Sequence, residues 1–233
     1  MAAGDDADEQ VGLRRLVYVN LVAAVAFFFG GSLFALGALF AQLDIATLST
    51  INVTYLVGGC FFTLGGYVSI LLAGNAEGDE DMRWWAFLPR RRDWLSAFVL
   101  FVGTLFFGLS LVAAFAQGLT PRQSNGWIWL PDIVGCLCFL ASGRLAMLEV
   151  CDGHVRVIAG LLDWWVVAVN QFGSVLFFLA GLAAFTRPAT SSAINIGLVN
   201  WGTFAGAVCF AIGGVIQAFD TPTSTRTAVQ QKP

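Results

Sequence analysis

Apolar residues fall into six long runs, separated by short polar breaks, at 16–42, 51–74, 94–117, 127–149, 161–186 and 194–218. A helix needs about 20 apolar residues to cross a hydrocarbon core about 30 Å thick, and every run meets that length. In lipid each main-chain polar group must be paired, and a helix pairs its own. Strands of a membrane barrel are shorter and alternate polar with apolar. The pattern therefore predicts an all-α, polytopic membrane protein with six transmembrane helices. The first run follows Arg14 and Arg15, as a signal peptide would. It continues through Phe40, past the roughly 7–15 apolar residues of such a segment, and is read as a retained helix. Residues 1–15, with Asp5, Asp6, Asp8 and Glu9, read as an acidic cytoplasmic tail. Residues 219–233, rich in Thr and Gln, read as a disordered cytoplasmic one.

A finer pattern lies inside the runs. Gly58, Phe62 and Gly66 are spaced four apart, as are Gly135, Phe139 and Gly143; Gly173, Phe177 and Gly181; and Gly206, Phe210 and Gly214. The first and third runs carry the variants Gly30, Phe34, Ala38 and Gly103, Phe107, Leu111. Four-residue spacing holds such positions on one helix face. Small residues let helix backbones approach, so the reading is a phenylalanine knob between two notches. Residues 93–115 also align without a gap on 163–185, and nine of these 23 positions are identical. The fourth and sixth runs match at an offset of 71 through Gly135/Gly206, Cys138/Cys209, Phe139/Phe210 and Gly143/Gly214. The expected architecture is three repeated helical hairpins in parallel orientation, the first the most diverged.

Composition narrows the function. The chain is 58% apolar and 12% charged, against about 45–50% and about 25% in soluble domains. A net charge of −3 leaves no basic domain to meet nucleic-acid phosphates. Of 12 Lys and Arg residues, ten would share one side: Arg14, Arg15, Arg83, Arg90, Arg91, Arg92, Arg144, Arg156, Arg226 and Lys232. Arg122 and Arg187 fall on the other. Lys and Arg concentrate in cytoplasmic loops, so both termini are expected in the cytoplasm and the protein in the cell membrane. The longest loop holds Glu77, Asp79, Glu80 and Asp81, then Trp84 and Trp85, then Arg90, Arg91 and Arg92. It reads as an interfacial anchor, or as a contact for anionic lipid heads.

Ionisable and amide groups at membrane depth are the default candidates for function. Asn52, Asp132, Arg144, Asn170 and Asn200 form the candidate intramembrane polar site. Each has an ordinary reading as well. Asp132 follows Pro131, as an acid does at a helix start; Arg144 is within reach of headgroups; amides join helices. Asp93 and Asp163 read as caps. Four of five cysteines lie in the runs as small apolar residues, and Cys136 and Cys138 diverge on a helix. The single histidine, His154, excludes a bis-His haem in the bundle, and no phosphate-binding glycine loop appears. No cofactor and no metal site are expected.

The stretches Val102–Phe107, Trp129–Leu140, Asn170–Ser174 and Asn200–Phe210 resemble bacterial YrhK-like membrane proteins. The likeness covers about residues 84–218 and departs at Gly108, where that pattern has Asn. It implies a bacterial cell membrane and a repeated hairpin, and no activity. The expectation is a non-enzymatic multi-pass protein with a structural or partner-binding role. The alternative is permeation of a small solute or ion past polar groups between the helices.

Overall fold

The computed structural model describes residues 2–76, 82–154 and 156–220, with the side chains of 2–11 and 13 left out. The acidic patch Glu77, Asp79, Glu80 and Asp81, and the tail from residue 221, lie outside the described residues. Six helices are long and apolar enough to span a membrane: α1 (Ala2–Leu43), α2 (Leu48–Gly74), α3 (Arg92–Ala113), α4 (Pro121–Val150), α5 (Leu162–Ala183) and α6 (Ile196–Ala218).

Local chemistry sets several of their ends. Thr47 Oγ1 accepts from the Thr50 N–H at the start of α2, and Asn195 Oδ1 from the Leu198 N–H at the start of α6. Thr120 and Gln123 form a reciprocal capping box at the start of α4, each satisfying a main-chain N–H that the helix leaves free. Asn75 closes α2 and clamps the Arg83 main chain, accepting from its N–H at 2.7 Å and donating to its carbonyl at 2.9 Å.

The ends correct the sequence reading in four places. α1 begins at Ala2, so the acidic segment is helix and not tail. Ala2, Ala3 and Ala7 favour helix, and acids near an N-terminus complement its dipole. α3 stops at Ala113 and α5 at Ala183, short of the apolar limits at 117 and 186. Apolarity reports depth in lipid, not which carbonyls find a partner. After α5, β1 (Thr186–Arg187) pairs antiparallel with β2 (Ser192–Ala193). α4 begins at Pro121 and passes through a π-helical turn, Asn125–Trp129. Pro131 and Asp132 therefore lie inside a helix and not at its start. Asp93 and Asp163 sit in the first turns of α3 and α5, whose N-caps are Arg91 and Leu161.

Each helix packs on its neighbours in sequence, and α6 packs back on α1. The result is a ring of six with alternating directions. Its terminal end is where the chain enters α1 and leaves α6; the other is the far end.

The glycines fix how closely the ring closes. Within the hairpins, a Cβ on Gly206 would stand 2.9 Å from the Gly173 carbonyl, and one on Gly135 3.0 Å from that of Gly103. A Cβ on Gly58 would meet the Gly30 carbonyl at 3.2 Å. The later glycines serve the next hairpin: Gly66 meets Phe101, Gly143 meets Gln171, and Gly214 meets the α1 backbone at Ala24. In lipid there is no hydrophobic drive between helices, so such close packing carries the association.

Candidate functional site

Each helix sends one phenylalanine to the ring axis: Phe34, Phe62, Phe107, Phe139, Phe177 and Phe210. Side chains lean toward the N-terminus of their own helix. In antiparallel neighbours they therefore converge. Phe177 and Phe210 stack at 5.5 Å, Phe34 and Phe62 meet edge-on at 5.3 Å, and Phe107 and Phe139 at 5.0 Å. Phe62, Phe139 and Phe210 also contact one another, at 5.5–6.3 Å, closing a triangle across the axis. The void left in this cluster, lined by Phe34, Phe107 and Thr104 among others, is about 10 Å³. A water needs at least about 10–15 Å³ on this measure, and polar partners as well. The plug is dry.

Toward the terminal end the axis opens into a cavity of about 400 Å³. All six helices line it, through Asn20, Ser69, Ser96, Ser142, Asn170 and Gln217 in helix order, and Phe139 and Phe210 form its floor. Among the described residues its wall carries four carboxylates, Asp93, Glu149, Asp163 and Asp220, and no arginine.

The positions follow a register. Asn20, Asp93 and Asp163 stand 14 residues before Phe34, Phe107 and Phe177, and Phe27, Leu100 and Asn170 stand seven before. Ser69, Ala146 and Gln217 stand seven after Phe62, Phe139 and Phe210, and Leu72, Glu149 and Asp220 ten after. All twelve line the cavity.

Polar bonds brace its wall. Asn20 Nδ2 donates to the carbonyls of Gln217 and Asp220, at 3.0 and 3.1 Å, and Gln217 Nε2 donates to Asn20 Oδ1 at 3.0 Å. This latch ties α1 to α6. Ser96 and Ser142, both buried, each donate to the other's carbonyl at 2.9 Å and tie α3 to α4. Asp93 is ion-paired with Arg91 and accepts from the Trp94 N–H at 2.8 Å. Asn170 Oδ1 is buried without a hydrogen-bond partner among the described residues, and Gly213 leaves it room.

The five candidate polar residues do not share one place. Asn170 lines the cavity. Asn52 Nδ2 donates to the Ala114 carbonyl at 2.9 Å and fastens the far end of α2 to α3. Trp129 Nε1 does the same between α4 and α5, donating to the Gly181 carbonyl at 2.8 Å. Asn200 is buried in α6. Arg144 is exposed on the outside of the ring. Asp132 is beyond the plug, seven residues before Phe139, with Oδ2 over Gly181.

The sequence reading missed Asn20, Glu149, Gln217 and Asp220, and it took Asp93 and Asp163 for caps alone. The available signal was their constant distance from the phenylalanines. Compared with protein-family models, curated proteins and solved structures, the chain matches none.

Proposed function

We propose that this membrane protein passes a small cation along the axis of its helix ring, with the six phenylalanines as a closed gate. One observation carries the reading: a cavity whose wall includes four carboxylates lies on the axis and ends at an apolar plug. Carboxylates gathered in a cleft with low-dielectric walls favour cations there. Apolar constrictions gate by excluding water. The role is a path and not a reaction, so the protein is read as non-enzymatic.

The terminal end is assigned to the cytoplasm of a bacterial cell, in keeping with the YrhK-like resemblance. Eight described arginines support this: Arg14, Arg15, Arg83, Arg90, Arg91, Arg92, Arg144 and Arg156. Arg91 among them pairs with the cavity acid Asp93. Arg90 and Arg92, exposed beside the exposed Trp84 and Trp85, are assigned to anionic lipid heads.

A second reading has its own observation. The plug is continuous and dry, as it is in a rigid scaffold for partner proteins. Liposome flux separates the two. Phe139 and Phe210 make five of the eight ring contacts in the plug. Replacing both by Ala is expected to raise K⁺ or Na⁺ flux at least about tenfold, which corresponds to about 1.4 kcal/mol of lost closure. A folded double variant as tight as the parent would leave the scaffold reading.

A further inference from the structure

Asp132 lines neither the cavity nor the void in the plug. It lies inside a membrane span, two helical turns, or about 10 Å, beyond the plug residue Phe139. Its neighbours are apolar or weakly polar. A Cβ on Gly181 of α5 would stand 3.1 Å from its Oδ2 and close to Ile133 and Cys136. Tyr55 of α2 is set edge-on against Phe34 at 5.2 Å. Tyr55, Asp132 and Thr203 share one register, each seven residues before a plug phenylalanine. At this level Tyr55 and Cys136 are the titratable neighbours. α3 from Phe107 to Ala113 and α5 from Phe177 to Ala183 contain no titratable residue.

Other acids of this chain show what a structural carboxylate looks like here. Asp93 holds Arg91 and the Trp94 N–H, and Asp152 pairs with Arg156. Asp132 has no hydrogen bond or ion pair among the described residues. Its predecessor Pro131 has no N–H to offer. An ionised carboxylate at such depth is costly unless a positive charge meets it.

We infer that Asp132, packed over Gly181 at the level of Tyr55 and Thr203, is a cation-binding point on the far side of the plug, taking a proton or an alkali-metal ion. The inference rests on the axial path for its role: acids at both ends of the plug would hold a cation on either side of the gate. It deepens that reading by naming the residue that receives the ion.

The test is modification of the full-length, reconstituted protein by a hydrophobic carbodiimide. The reagent adds to a protonated carboxyl: a carboxyl oxygen bonds to the central carbon and the proton goes to nitrogen. Peptide mass spectrometry reads the adduct across a pH series, with sodium, potassium or choline chloride at equal ionic strength. Asp132 is expected to be labelled, and labelling to fall about tenfold per pH unit once the carboxyl ionises. Asp132→Asn is expected to lose the adduct, and Asp132→Glu to keep it. Protection by sodium or potassium, but not choline, identifies the alkali ion; equal labelling in all three salts identifies the proton. Asp132 unmodified at every pH, in a sample whose other carboxyls are labelled, would overturn the site. Labelling does not require flux. Labelled Asp132 in a protein whose plug variant is tight sinks the path and spares the site; flux with unlabelled Asp132 does the reverse.

Discussion

Gly31 and Gly108 are both glycines inside membrane-spanning helices, yet they face different surroundings. A Cβ on Gly31 would lie 2.6 Å from the Ala207 carbonyl and 2.7 Å from the Ala211 nitrogen, both backbone atoms of α6. Neither can swing aside, so Gly31→Ala must push α1 from α6, at a cost of about 1–3 kcal/mol. Around Gly108 nothing lies within 4 Å. There an Ala is expected to be neutral or to add about 0.5–1 kcal/mol through helix propensity. Unfolding in mixed micelles compares the two, and equal losses would contradict the packing described. Phe107 shows the same dependence on surroundings. It is the half-buried member of the six, beside the small void and Thr104.

At the scale of elements, the ring is held by two kinds of joint. Glycine-backed crossings join helices both within and between hairpins, and polar tethers reinforce several joints between hairpins. Asn52 to Ala114, Trp129 to Gly181 and the Asn20–Gln217 latch are tethers of the second kind. Interhelical bonds of this sort contribute about 0.6–2 kcal/mol. Asn52→Leu is therefore expected to destabilise the bundle by that amount, with hydrogen exchange rising first at the far ends of α2 and α3. Unchanged exchange there would show that the bond carries no weight. Helix α4 illustrates how an element can mislead. Pro131 followed by Asp132 is a good start signal, but Thr120 and Gln123 provide a stronger one ten residues earlier. The π turn then lets the helix continue through the proline.

At the scale of the molecule, six helices returning the chain to its starting end make orientation a single choice. Reporter fusions after Gly118 and Arg187, both at the far end, are expected outside. Fusions after Ala76 and Gly153, at the terminal end, are expected inside. A reporter switching between these pairs would refute the orientation, and with it the assignment of the acidic cavity to the cytoplasm. At the terminal end acids and arginines meet in part, as Asp93 does with Arg91, while Arg144 is exposed on the outside of the ring.

The six spans, their alternating direction and the knob-and-notch role of Gly and Phe were legible in the sequence. They depend on periodicities of three or four residues, which a helix imposes locally whatever surrounds it. Their spacing makes the phenylalanines knobs between helix pairs and says nothing of their meeting as one plug. Whether six such knobs point to one axis depends on the ring closing, and that closure is made by α1 on α6, the segments farthest apart in the chain. The same holds for Asp93, Asp163, Glu149 and Asp220. An acid in a first helical turn satisfies the dipole whichever way it faces, so local chemistry leaves its direction open. Only the packed ring turns these side chains onto a shared cavity, sends Arg144 outward, and sets Asp132 alone on the other side of the plug.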